Sequence, residues 1–188
     1  VRRYFPWQSN ARYLHDRVIE SVGILYEHHY PNRQRTTARP VICSPIHDRL
    51  KENRACFSMI AGWERADWFA PEGVEPVHKY DWRSPNWLPF QKQEHLAVRH
   101  GVGMYDLSSM GNLLVQGRDA QKVLQYLCTN DMDVETGRVV YTPMTNERGG
   151  FETDVTITKL DDETFFIVTA AGTTIRDLDY IKRRIPKD

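Results

Sequence analysis

A chain of 188 residues and 22.0 kDa is long enough for one ordinary domain with a real core, or for two incomplete pieces. Its 25 basic and 25 acidic side chains cancel, which removes any electrostatic reason to expect a nucleic-acid or acidic-membrane partner. With 40% apolar and 27% charged residues it reads as globular and soluble rather than disordered; no apolar run reaches the length of a membrane span, and no signal-peptide pattern opens it.

The first 90 residues hold all five Trp and eight of the ten Pro, with apolar residues scattered rather than periodic. Within 11–28, Leu14, Val18, Val22 and Leu25 recur at helical spacing, so a helix is expected there, ended by Pro31. The stretch "SPIHDRLKENRACFSMIAGWERADWFAPEG" reads as a short helix, a strand and a Trp-rich loop too aromatic to be a flexible linker. From about residue 90 the pattern becomes regular. "QKQEHLAVRHGVG" reads as a helix stopped by Gly101 or Gly103, and "MYDLSSMGNLLVQG" holds a strand in its second half. Ala120, Val123, Leu124 and Leu127 share one helical face behind Asp119 as N-cap. Three strands are expected at 138–145, 151–160 and 164–170, joined by "NERGG" and "DDE" turns. Ile175, Leu178, Ile181 and Ile185 mark a last helix, halted by Pro186. The order is α+β, with an antiparallel meander. Because three strands make a marginal unit alone, the second region reads as the first part of a larger domain. The absence of an initiator Met before Val1 likewise reads as a segment of a longer protein.

Cys43, Cys56 and Cys128 are odd in number and lack CxxC spacing, so they read as reduced thiols rather than a disulfide frame or zinc site. His28 and His29 would point about 100° apart on a helix, and His95 and His100 are five apart; neither pair makes a shared ligand face, and no metal site is expected. "GWERADWFAPEG" reads either as a loop pinned by large rings, with Arg65 paired to a neighbouring acid, or as the wall of a planar-ligand or flavin site. The basic end "RRIPKD" reads as a solvated helix terminus matched to the helix dipole. No phosphate loop, no GxGxxG after a strand and no Ser nucleophile elbow is present, so no FAD-binding residue is assigned within the segment.

Alternation along the second meander strand puts Phe151, Thr153, Val155 and Ile157 on one face and Glu152, Asp154, Thr156 and Thr158 on the other. Tyr141, Thr142 and Met144 on the preceding strand are read as lining the Asp154 face. A strand acid beside two Thr suits a solvated outer face. With a ring and a thioether beside it, it also suits a planar, protonatable heterocycle whose N–H edge an acid would hold.

The stretch "GWERADWFAPEG", followed by "EHLAVRHGVGMYDLSSMGNLLVQGRDAQKVLQYLCTNDMDVETGRVVYTPMTNERGGFETDVTITKL", resembles the FAD-dependent dimethylglycine/sarcosine dehydrogenase and oxidase family. The resemblance covers nearly the whole chain. It implies that 1–88 is the end of a flavin amine-oxidising module plus a linker domain. It further implies that 89–188 is the N-terminal, incomplete part of a folate-binding module like the aminomethyltransferase (T-protein) of the glycine cleavage system. The implied reaction oxidises an N-methylglycine-type amine on FAD, bound upstream, and passes the resulting iminium carbon to tetrahydrofolate, giving 5,10-methylenetetrahydrofolate. The T-protein turn-strand pattern carries an acid matched by Asp154, implied to be the catalytic and pterin-side contact, with Tyr141 and Met144 as pocket lining. Thr169, in "VTAAGT", stands where T-proteins commonly carry Asn and is the fourth implied folate contact. The implied setting is the mitochondrial matrix in a eukaryote or the cytoplasm in a bacterium. A similar chain order, with the "LQYL…NDxDV" wording, occurs in the regulatory subunit of pyruvate dehydrogenase phosphatase, which implies the alternative of a non-catalytic regulator with a protein partner.

Overall fold

The structure is a computed structural model that describes residues 4–185. Packing divides it into two compact units, one ending at Ser109 and the other beginning at Met110.

The first unit starts with a 3-10 turn, Pro6–Ser9, and helix α1, Ala11–Ile24. Asn10 caps α1 by accepting the Tyr13 N–H at 3.1 Å. The helix stops at Ile24, before the expected end near residue 28, so Pro31 is not its terminator. Val18, Val22 and Leu25 are exposed and only Ile24 of this helix is buried, so the apolar stripe marks the helix without being its packed face. Helix α2, His47–Glu52, leads into strand β1, Ala55–Ile60. The segment expected to be a Trp-rich loop is instead strand β2, Trp63–Phe69, antiparallel to β1. Two features hide it in the sequence. The turn is only Ala61–Gly62, both at positive φ, which is the tight primed hairpin turn whose twist matches paired strands. The register then shifts between Cys56 and Phe57, and such a bulge breaks the period-two pattern by which a strand is recognised. Gly62 is doubly required: φ is +90° and a Cβ there would lie 2.7 Å from the Trp7 ring.

Cys56, Trp68 and Ala70 form the buried centre of this unit, joined by Val74, Trp87 and Phe90. Phe90 belongs to helix α3, Leu88–His100, and stacks on Trp68 at 5.3 Å and 9° between planes. The helix ends at Gly101, as the sequence implies. Glu64, a β2 acid, is buried and paired to Arg39 rather than to Arg65, with Arg39 Nε donating at 2.8 Å.

In the second unit β3 (Gly111–Gln116), α4 (Ala120–Leu127), β4 (Val139–Thr145), β5 (Phe151–Lys159), β6 (Thr164–Thr169) and α5 (Thr174–Arg184) follow in order. The expected three-strand meander gains a fourth member: β3 pairs with β6, and the antiparallel order is β3-β6-β5-β4. Ala120, Leu124 and Leu127 of α4 and Tyr180 and Ile181 of α5 bury one side of this sheet against Met144, Val155, Ile157, Phe165 and Ile167. Asp119 stands at the N-cap of α4 but makes no side-chain cap bond. On α5 the buried line is Asp177, Tyr180 and Ile181, while Ile175 and Ile185 are exposed, so the packed stripe is rotated from the one the aliphatic residues suggest. The helix has ended by Ile185; the stop expected at Pro186 and the last three residues of the basic end lie outside the described residues. Among the described residues, no helix is long and apolar enough to cross a membrane, and no group of three or more His, Cys, Asp or Glu is arranged to hold a metal ion.

Candidate functional site

Both helices of the second unit pack on one face of its sheet, which leaves the other face open. Burial along β5 alternates accordingly: Thr153, Val155 and Ile157 are buried, while Asp154 is exposed and Thr156 and Thr158 are half-buried. Asp154 therefore belongs to the open face, as the alternation implies. The strand pair β4/β5 is held in register by its turn. Asn146 Oδ1 accepts the N–H groups of Arg148 and Gly150, each at 3.0 Å, and its Nδ2 donates to Glu152 Oε1 at 2.9 Å. Gly149 takes φ +73°, a conformation that only glycine adopts at little cost.

This register places Pro143 opposite Asp154 and Tyr141 opposite Thr156. Pro143 is tolerated because β4 is the last strand of the sheet, where the ladder loses least from a missing N–H. Tyr141 and Asp154 are diagonal neighbours, within reach of a long aromatic side chain. The Tyr141 hydroxyl donates to Asp154 Oδ2 at 2.6 Å. That bond to the carboxylate, supported by slight burial and the charge of Asp154, raises the phenol pKa, so Tyr141 stays a donor. Asp154 Oδ1 has no hydrogen-bond partner among the described residues, and Tyr141 is 63% exposed. The pair is a pre-positioned carboxylate with one oxygen held and one presented outward, beside an aromatic face.

Met144 and Thr169 do not join it. Met144 is 0% exposed and sits in the core under the helices, as does Thr142. The expectation that both share the face of Asp154 is corrected by strand parity: Tyr141 and Met144 are an odd number of residues apart, so their side chains leave opposite faces. Thr169 is also buried, and its hydroxyl bonds the Asp177 carboxylate, which accepts from Thr153 Oγ1 at 3.1 Å as well. Asp177 is closed off by the Arg176 guanidinium at 3.0 Å. This buried acid, tying β5 and β6 to α5, went unread in the sequence. Its signal was positional: Asp177 lies three and four residues before Tyr180 and Ile181 on one helical face. The predicted four residues thus split two and two across the sheet.

Comparison with known proteins adds the following. Residues 46–188 match the family described as GCVT N-terminal domain, and residues 1–44 match the FAD dependent oxidoreductase central domain. The 4-methylaminobutanoate oxidase (formaldehyde-forming) of Paenarthrobacter nicotinovorans is 42% identical over 97% of this chain. The mitochondrial pyruvate dehydrogenase phosphatase regulatory subunit of Mus musculus is 29% identical over 100% of it. The chain spans 22% of the length of each of these relatives. In the solved structures, the glycine cleavage system aminomethyltransferase T from Bartonella henselae is similar in fold, with a TM-score of 0.60 and 22% identity over 79% of this chain and 36% of that one.

Proposed function

The chain belongs to the GCVT N-terminal domain family, and on that premise we propose that it is the junction segment of an FAD-dependent oxidoreductase that demethylates an N-methylglycine-type amine and passes the one-carbon unit to tetrahydrofolate. The observation that carries this reading is the Tyr141–Asp154 pair on the open sheet face, with Oδ2 held and Oδ1 free. The adjoining match to an FAD dependent oxidoreductase central domain supports the coupling of oxidation to transfer. The 42% relative is named for an N-methylated amino acid and for formaldehyde, the one-carbon level that such a transfer would intercept.

The residues present do not fit FAD itself. Strand β3 enters α4 through Gly117, Arg118 and Asp119, a turn with one glycine and an acid where a pyrophosphate would need backbone N–H groups and positive potential. No oxidation step is assigned to this chain. The open face does fit a pterin edge: Asp154 Oδ1 would accept its N–H donors, and Tyr141 would fix the carboxylate and offer ring surface. Tetrahydrofolate, when bound, supplies the nitrogens that take up the carbon. Asp154 would hold those nitrogens in register and take a proton at Oδ1.

In the full-length protein, Asp154→Ala is expected to leave amine oxidation intact while formaldehyde replaces methylenetetrahydrofolate as product. An unchanged methylenetetrahydrofolate yield contradicts the assignment. The 29% match over the whole chain favours a second reading, a regulator that binds a phosphatase catalytic subunit; that reading predicts such binding in a pull-down with no amine oxidation by the full-length protein.

A further inference from the structure

The two edges of the second unit's sheet are not alike. Along β4 the outward backbone is already occupied. The Thr129 N–H donates to the Pro143 carbonyl at 3.1 Å, Asn130 Nδ2 donates to the Tyr141 carbonyl at 2.7 Å, and Cys128 bridges to Met144. Pro143 has no N–H to offer, so this edge is both covered and blunted, two devices that stop a sheet from adding strands.

The β3 edge has neither. The Gly117 N–H donates to the Glu163 carbonyl at 2.9 Å, and the register runs from Gly111 opposite Thr169 to Gln116 opposite Thr164. Bonded pairs alternate along an antiparallel ladder. Gly111, Leu113 and Val115 therefore turn their N–H and C=O groups to β6, and Asn112, Leu114 and Gln116 turn theirs away from it. Among the described residues, no further strand or backbone hydrogen bond reaches those outward groups. The strand itself, GNLLVQ, holds no charge and no proline. Its run Leu113-Leu114-Val115 is apolar on both faces, the pattern of an interior strand. Leu113 and Val115 pack half-buried on the core. On the open face Leu114 is 57% exposed opposite Phe166, and Val168 stands on the same strand two residues further on. An uncharged strand laid along β3 would satisfy three N–H and three C=O groups and cover Leu114 from its free side.

Length argues for the occupant. The chain spans 22% of each relative, and 79% of it accounts for 36% of the aminomethyltransferase T chain. A strand tethered in the same polypeptide meets this edge at an effective concentration of roughly millimolar order, which a separate copy matches only at a comparable protein concentration. We propose that the β3 edge docks a further β-strand of the same, longer polypeptide, uncharged and with an apolar side chain against Leu114, which extends this sheet beyond β3. The proposal rests on the reading of the chain as a junction segment and not on the folate assignment.

The test is residue-resolved hydrogen exchange on the full-length protein. The amides of Asn112, Leu114 and Gln116 are expected to exchange about a hundredfold or more slower than free amides, as the inward amides of Leu113 and Val115 do. Free-amide rates at those three, beside protected Leu113 and Val115, overturn the proposal. Protection that disappears on dilution, with a dimer-to-monomer change in mass by light scattering, gives the edge to a second copy and overturns it too. Two substitutions separate pairing from burial. Leu114→Ala is expected to keep the protection of Asn112 and Gln116. Leu114→Pro, which removes the outward N–H, is expected to lose it and to unfold at a lower temperature than the Ala variant. A Pro variant as protected and as stable as the Ala variant overturns the proposal, since an open edge tolerates proline. None of these readouts uses amine or tetrahydrofolate, so their outcome is separate from that of the Asp154 assignment.

Discussion

Asp67 and Asp154 show how differently two strand carboxylates are treated. Asp67 is held by His78, whose hydrogen bond is the main reason its pKa lies below the ordinary carboxylate value, with Ser58 adding to it against a cost of burial. A carboxylate depressed in the folded state contributes stability above its unfolded pKa and loses that contribution as pH falls through the folded one. The urea midpoint of the wild type is therefore expected to drop as pH is lowered from neutrality through and below about 3.9, the ordinary Asp value, and Asp67→Asn should flatten that drop. Equal slopes would show that Asp67 is not the titrating group. Met144 tests the other assignment at this scale. It fills the core under α4 and α5, so Met144→Ala should cost about 2–5 kcal/mol of stability, measured by equilibrium denaturation; a loss below about 0.5 kcal/mol, as at an exposed site, would contradict its burial. Asp154 was legible from alternation alone, because β5 alternates cleanly from Thr153 to Lys159; Phe151, expected on the inner face with Thr153, is exposed, beyond the register shift between Met144 and Thr145. Met144 was misplaced because neighbouring and odd-spaced residues on β4 were read onto one face.

At the scale of elements, legibility follows regularity. The strands β4, β5 and β6 fall within a residue of their expected ends, since each has clean alternation between marked turns. The hairpin partner β2 did not show itself, because a two-residue turn and a bulge leave neither a loop signal nor a period. Gly62 is the weak point of that hairpin. Substituting Gly62→Ala forces a side chain into positive φ and toward the Trp7 ring, and a loss of about 1–3 kcal/mol is expected. Thermal unfolding monitored by Trp fluorescence reads it; an unchanged midpoint would mean that Trp7 gives way and the turn relaxes. Helix α1 was legible as a helix but not as a packed one: Val18, Val22 and Leu25 satisfy the spacing and remain exposed, and spacing carries no information about what an apolar stripe meets.

For the whole molecule, the sequence suggests two parts meeting at residues 88 and 89, whereas packing divides the chain between Ser109 and Met110 and the two family matches meet at residues 44 and 46. Alternation along β5 also indicates which side of the second unit's sheet is covered, since Val155 and Ile157 lie on the helix side and Asp154 on the other. What it does not indicate is the pairing between strands: that β3 joins β6, and that Tyr141 falls diagonal to Asp154, are properties of the assembled sheet. That register decides the site: Tyr141 and Asp154 meet on the outer face, and Thr169 meets Asp177 on the inner one. The central claim is that this open face binds the pterin end of tetrahydrofolate through Asp154. The direct measurement is a calorimetric titration of tetrahydrofolate into the full-length protein, for wild type, Asp154→Asn and the opposite-face control Thr169→Ser. Removing a charge-assisted bond worth about 1.5–3 kcal/mol predicts an affinity about 10- to 100-fold weaker in Asp154→Asn, with Thr169→Ser binding as the wild type does. Equal affinity in wild type and Asp154→Asn would contradict the account.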